Sequence, residues 1–231
     1  MLEQIDKDIW IAPGACVDFY GFAYPTRSVV VRLANGDVWL WSPIAYDAAL
    51  AAEIDQIGPL THLVSPNKIH HLFLTDWATH YPQAKIWGPQ STIRKRGDLA
   101  FQPPLAVQSP PDWAGEIDQF HATGSFALDE VLFYHIPSDT LIVADFSENF
   151  SEAFMARHWK PWQRKLARPW GIVEGKGHAP LEWRLSFLRR RRLKQIKRDL
   201  LARPVRNVIM AHGEVQKGGG LAFLNTSLAW I

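Results

Sequence analysis

The sequence predicts an α/β protein in which two β-rich halves carry their helices on the outside. Three observations lead there. Strand-like runs of β-branched and aromatic residues open each half, helical periodicity follows the strands, and a Pro-rich loop at 103–111 separates the halves. At 231 residues, with 47% hydrophobic and 21% charged positions, the chain can bury a sizeable core and is read as a single domain over 1–231.

In the first half, strands are expected at 8–14 (DIWIAPG), 28–33 (SVVVRL) and 37–43 (DVWLWSP). The last two form a hairpin, because Asn35-Gly36 between them tolerates the positive φ of a tight turn. A helix follows at 46–57 and stops before Gly58-Pro59, and a short buried strand, THLVSP, leads into a second helix. Ile69, Leu72, Phe73, Trp77 and His80 place that helix between about 69 and Pro82. A strand at KIWGP and a short basic helix at QSTIRKRG complete this half.

The second half begins with strands at GEIDQFHA, DEVLFYHIP and DTLIVADF, the last apolar enough from Thr140 to Ala144 to be buried on both faces. Helices are expected at about 151–166 and 180–201. A final strand, VRNVIMAHG, precedes a short helix after Gly218-Gly219-Gly220.

Composition narrows the function classes. One cysteine, Cys16, allows no internal disulfide, the first residues lack the pattern of a secretory signal, and no apolar run approaches bilayer length. The expectation is a cytoplasmic protein. A net charge of +2 selects no class of partner.

Polar residues with metal-ligand chemistry recur where strands end: His70-His71 after THLVSP, His121 in FHATG, Asp145 after TLIVA and His212 after NVIMA. A lone histidine at such a position is ordinarily a hydrogen-bonded structural residue. Several at one rim of a sandwich offer the imidazole and carboxylate donors favoured by Zn²⁺ and other divalent ions. His135 is open to two readings, a buried hydrogen-bonded histidine or a metal ligand, with the first preferred; His178, on a loop that could border the pocket, is read as solvated.

The order of elements and these positions resemble the metallo-β-lactamase-like superfamily of hydrolases, over nearly the whole chain. Within it the chain is most similar to a mainly bacterial family with a degenerate motif. The resemblance implies a four-layer αββα sandwich. The superfamily's His-x-His-x-Asp-His motif falls on Pro66-Asn67-Lys68-Ile69-His70-His71, where only the final histidine is retained. His121-Ala122-Thr123-Gly124-Ser125, Thr140 to Asp145 and Val208 to Gly213 match the later motifs.

In dinuclear relatives one metal depends on the first two histidines of the motif, and here those positions hold Pro66 and Lys68. Proline offers no donor atom, and a protonated lysine repels a cation. What remains implies one ion per chain, Zn²⁺ before Mn²⁺ or Fe²⁺, on His71, Asp145 and His212, with His70 as a fourth ligand and His121 as a further candidate. Asp145 is assigned as ligand and orienter, and Lys68 as the group that stabilises a developing oxyanion or holds an anionic substrate.

Three functions follow. The first is a metal-dependent hydrolase acting on a small ester, thioester or similar electrophile. The second is a catalytically inactive descendant that binds a ligand or another protein. The third is nucleic-acid binding or processing through the basic helix at 181–201, whose run Arg189 to Arg192 is a patch that suits phosphates of nucleic acid or of an anionic membrane surface without being specific for either. Its default reading is a solvated face beneath an apolar stripe that includes Trp183, Leu185, Phe187 and Leu188.

Overall fold

In the computed structural model, which describes residues 1–231, the strands form two sheets. The first runs in chain order: β1 (Glu3–Asp6), β2 (Ile9–Phe19), β3 (Phe22–Arg32), β4 (Val38–Trp41), β5 (Leu60–Val64) and β6 (Lys85–Trp87). Pairing is antiparallel up to β4 and parallel from β4 to β6. The second comprises β7 (Ile117–Ala122), β8 (Glu130–His135), β9 (Thr140–Val143) and β10 (Asn207–Met210), in the order β10-β9-β8-β7. Here β9 and β10 are parallel neighbours, so their C-terminal ends, and the residues just beyond, emerge at the same rim.

Layering follows from the two-residue period of strands whose faces are both apolar. Val29, Val31, Trp39 and Trp41 turn inward and meet Phe133, Ile142, Ala144 and Ile209 between the sheets. Their neighbours Val30, Val38 and Leu40 turn outward and pack on α1 (Ala48–Ile57) and α2 (Leu74–His80) through Leu50, Ile54, Leu74 and Trp77. On the far side, Leu141, Val143, Val208 and Met210 pack on α6 (Leu181–Ser186), α7 (Arg191–Leu201) and α8 (Gly220–Ser227). The result is the expected four-layer αββα sandwich. Between its halves lie α3 (Gln90–Lys95) and the Pro-rich loop; α4 (Glu152–His158) and α5 (Pro161–Trp170) follow β9. No helix is long and apolar enough to cross a membrane.

Several expected elements are corrected. The strand expected to end at Gly14 continues to Phe19, because a bulge between Pro13 and Cys16 absorbs the proline and the pairing resumes. The helix expected from 69 begins at Leu74, since the Asn67 side chain accepts the backbone N–H groups of Ile69 and His70 and holds them in a turn. Pro161 starts a second helix inside the segment expected at 151–166. The helix expected at 180–201 is broken: Phe187 is extended and bridges Ser125, so the apolar stripe loses phase and Leu185 and Leu188 are exposed.

After β10 the chain turns at Gly213, whose φ is +89°. A Cβ there would lie 2.2 Å from the Asn149 carbonyl oxygen, whereas one at Gly36, also at positive φ, would meet nothing within 4 Å. Gly213→Ala is therefore expected to cost about 3 kcal/mol in urea unfolding and Gly36→Ala about 1 kcal/mol; equal losses would contradict the close-approach argument.

Candidate metal centre

Asp145 follows β9 and His212 follows β10, so the parallel pairing sets them side by side at the sheet rim. His70 arrives from the first sheet, on the Asn67 turn after β5. One donor atom from each of these three side chains lies within 4.8 Å of the others. His70 Nε2 stands 3.3 Å from Asp145 Oδ2, and His212 Nε2 stands 3.6 Å from Asp145 Oδ1.

The surrounding hydrogen bonds decide what each donor can do. His212 Nδ1 is 2.7 Å from the Pro25 carbonyl, which can only accept, so Nδ1 carries the proton and the Nε2 lone pair faces Asp145. His70 Nδ1 is 2.8 Å from Ser42 Oγ, leaving its Nε2 toward the same point. Asn67 Nδ2 donates to Asp145 Oδ2 at 2.7 Å and to Glu130 Oε2 at 3.2 Å. The Glu130 carboxyl accepts the N–H groups of Ala144 and Asp145, fixing the backbone from which Asp145 projects. Arg27 caps the other arm by donating to the carbonyls of Met210 and Gly213, on either side of His212.

Electrostatics match these roles. Burial pushes the His212 imidazole down to about 4, against the pull of Asp145, so it is neutral at physiological pH. For Asp145, burial raises the carboxyl, but His70, His212 and the Asn67 bond outweigh it and hold the group below its ordinary value. Glu130 is raised to about 8 by burial and then by Asp145. One ionised carboxylate and two imidazoles directed at one point suit a divalent ion.

The three donors form the base of a pocket of about 220 Å³. Its walls include Phe19, Tyr24, Pro43, Ile69, Leu72 and Phe73, and its polar residues include Arg27, Ser42, His71 and Lys95.

Of the five residues expected as ligands, His70, Asp145 and His212 come together, and His71 and His121 do not join them. His71 lines the pocket wall, but its Nδ1 lies 3.3 Å from the Arg96 guanidinium and its carbonyl accepts a second bond from it. The reason is the turn: it aims His70 inward and rotates His71 away. His121 is paired with Asp129, His121 Nε2 lying 2.7 Å from Oδ2. Lys68 is not a pocket residue; its carbonyl accepts the Lys95 ammonium, which is. His135 is buried against Ser138 Oγ at 2.7 Å, as expected of a core histidine. His178 is half-buried instead of solvated.

Asn67, Ser42, Arg27 and Lys95 escape the motif reading. Ser42 follows β4 at a strand end and Asn67 lies inside the motif, so both carried a positional signal; Arg27 and Lys95 carried none.

The arrangement of sheets and helices is the metallo-β-lactamase fold. No family model matches the chain, and no curated protein matches its sequence. Solved structures do match. A metallo-β-lactamase from Pontibacter korlensis is 13% identical at a TM-score of 0.64, covering 100% of this chain and 97% of that one. One from Hirschia baltica is 13% identical at 0.63, covering 100% and 96%. A Nostoc protein described as a diflavin flavoprotein is 11% identical at 0.67, covering 100% and 94%. The likeness is one of fold.

Outside the centre, burial lowers the His135 imidazole to about 4. The unfolded chain therefore takes up this proton first, and the folded state loses stability as pH falls from about 6.5 toward 4. Relative to wild type, His135→Gln is expected to remove on the order of 3 kcal/mol of that acid destabilisation, read from urea melts at pH 7 and pH 4. Parallel losses in the two proteins would refute the shift.

Proposed function

We propose that the protein is a hydrolase using one divalent ion, Zn²⁺ before Mn²⁺ or Fe²⁺, on His70, Asp145 and His212. The observation that carries this reading is the aim of two imidazole Nε2 atoms and one ionised carboxylate at one point beneath a pocket. The donor set fits: His212 is neutral, and Ser42 and Pro25 orient the two rings by their Nδ1 atoms. Such an ion supplies Lewis acidity toward a carbonyl oxygen and lowers the pKa of bound water.

The chain's own residues do the rest. Asp145 neutralises part of the ion's charge, and Asn67 and Glu130 hold it in place. Phe19, Ile69, Leu72 and Phe73 exclude water and select an apolar substrate body. Lys95 takes the part expected of Lys68, placing a positive charge on the pocket wall for an anionic substrate or a developing oxyanion. The small pocket volume favours a small ester or thioester over an extended substrate. The lone exposed Cys16 suits a reducing compartment such as the cytoplasm.

One observation favours a second reading, a non-catalytic descendant of the fold. The Asn67 amide already donates to Asp145 Oδ2, and His70 Nε2 stands 3.3 Å from the same oxygen, without an ion. Metal analysis after purification without chelator separates the two. The hydrolase reading expects about one equivalent of transition metal per chain, lost in Asp145→Ala and His212→Ala with the far-ultraviolet spectrum retained. Less than about 0.2 equivalents, with no recovery on adding Zn²⁺, Mn²⁺ or Fe²⁺, would exclude it.

A further inference from the structure

The break between α6 and α7 builds a surface that the metal centre does not use. Residues 186–188 run beside 124–126: Ser125 bridges Phe187, Phe126 N–H donates to the Ser186 carbonyl, and Leu188 N–H donates to the Gly124 carbonyl. Ser125 Oγ and Ser186 Oγ are 2.6 Å apart and tie the strips together. Gly124 has φ +107°, and a Cβ there would lie 2.3 Å from the Arg189 carbonyl oxygen, so this close approach requires glycine.

Phe187 faces the core, and three large apolar side chains on this knob face out. Phe126 is 76% exposed, Leu185 68% and Leu188 77%. One exposed apolar side chain needs no explanation; Phe126 and Leu188 on the two pinned strips, with Leu185 at the end of the helix that leads into one of them, form an apolar tip. The segment that carries it is basic. Segment 181–201 holds eight basic residues against Glu182 and Asp199, while the whole chain carries only +2, so the rest of the chain is net negative. Some of these cations serve the fold: Arg190 donates to the Trp230 and Arg184 carbonyls, and Arg192 to that of His121. Arg189, Arg191, Lys194 and Arg198 are exposed and lie in no ion pair.

We propose that this knob, Phe126 with Leu185 to Arg192, docks the protein on an anionic lipid bilayer. The apolar side chains enter the headgroup and acyl boundary while Arg189 and Arg191 engage lipid phosphates and carboxylates. Charge alone would serve a nucleic acid equally well. The aliphatic tips decide between them: Leu185 and Leu188 offer a phosphate backbone nothing, and their burial in hydrocarbon is favourable. This docking stands independently of the metal reading.

The test is flotation of the full chain with vesicles of phosphatidylcholine containing about 30% phosphatidylserine, against phosphatidylcholine alone. Wild type is expected to float with the anionic vesicles and to be released by about 0.5 M salt. Both Leu185→Ser/Leu188→Ser and Arg189→Glu/Arg191→Glu are expected to lower the bound fraction at least about tenfold with unchanged thermal melts, since each alters only exposed side chains. Failure of wild type to float, or wild-type flotation by both double variants, would overturn the proposal. So would tighter binding to single-stranded RNA that Leu185→Ser/Leu188→Ser leaves intact, which would assign the arginines to nucleic acid.

Discussion

Burying an ionised carboxylate costs several kcal/mol unless partners replace its water, and Asp145 is buried at the rim of the second sheet with Asn67, His70 and His212 around it. Asn67 donates to one oxygen, His70 faces the same oxygen, and His212 faces the other. The partners come from both sheets: the turn after β5 supplies Asn67 and His70, and the end of β10 supplies His212. The carboxylate therefore ties the two sheets together where the pocket opens, and the surrounding interactions serve to keep it there.

Glu130 shows how far that requirement extends. It is fully buried on β8, raised to about 8 by burial and by Asp145, and it accepts the two N–H groups at the end of β9. Its task is to fix the backbone of Asp145, and Arg27 does the same for His212 through the carbonyls of Met210 and Gly213. A site braced in this way from both strands presents its donors in fixed directions, as a bound ion requires.

Much of this was legible in the sequence where one residue's chemistry dictates one local geometry. Asn35-Gly36 announced its hairpin, the apolar run ending in Asp145 announced a buried strand, and the strand-end positions of Asp145 and His212 announced a shared rim. The failures come from interactions between residues that periodicity does not register. Pro13 reads as a strand end, but a bulge carries β2 onward. The spacing from Ile69 reads as helix, but the Asn67 side chain captures the two N–H groups that the helix would have left free. That capture explains why His70 turns into the centre and His71 does not. Arg27 and Lys95 lie on elements with no motif, and only the packed fold brings them to the pocket.

The same limit applies at the break between α6 and α7, where the bridge to Ser125 converts an expected apolar stripe into an exposed tip. For the centre itself, the most direct measurement is X-ray absorption at the zinc edge of the zinc-loaded protein. The account predicts imidazole scattering from two histidines at about 2.0–2.1 Å, with light oxygen donors beside them, and no metal–metal vector near 3.5 Å. A spectrum without the imidazole signature, or with a metal–metal vector, would contradict a single ion on His70, Asp145 and His212.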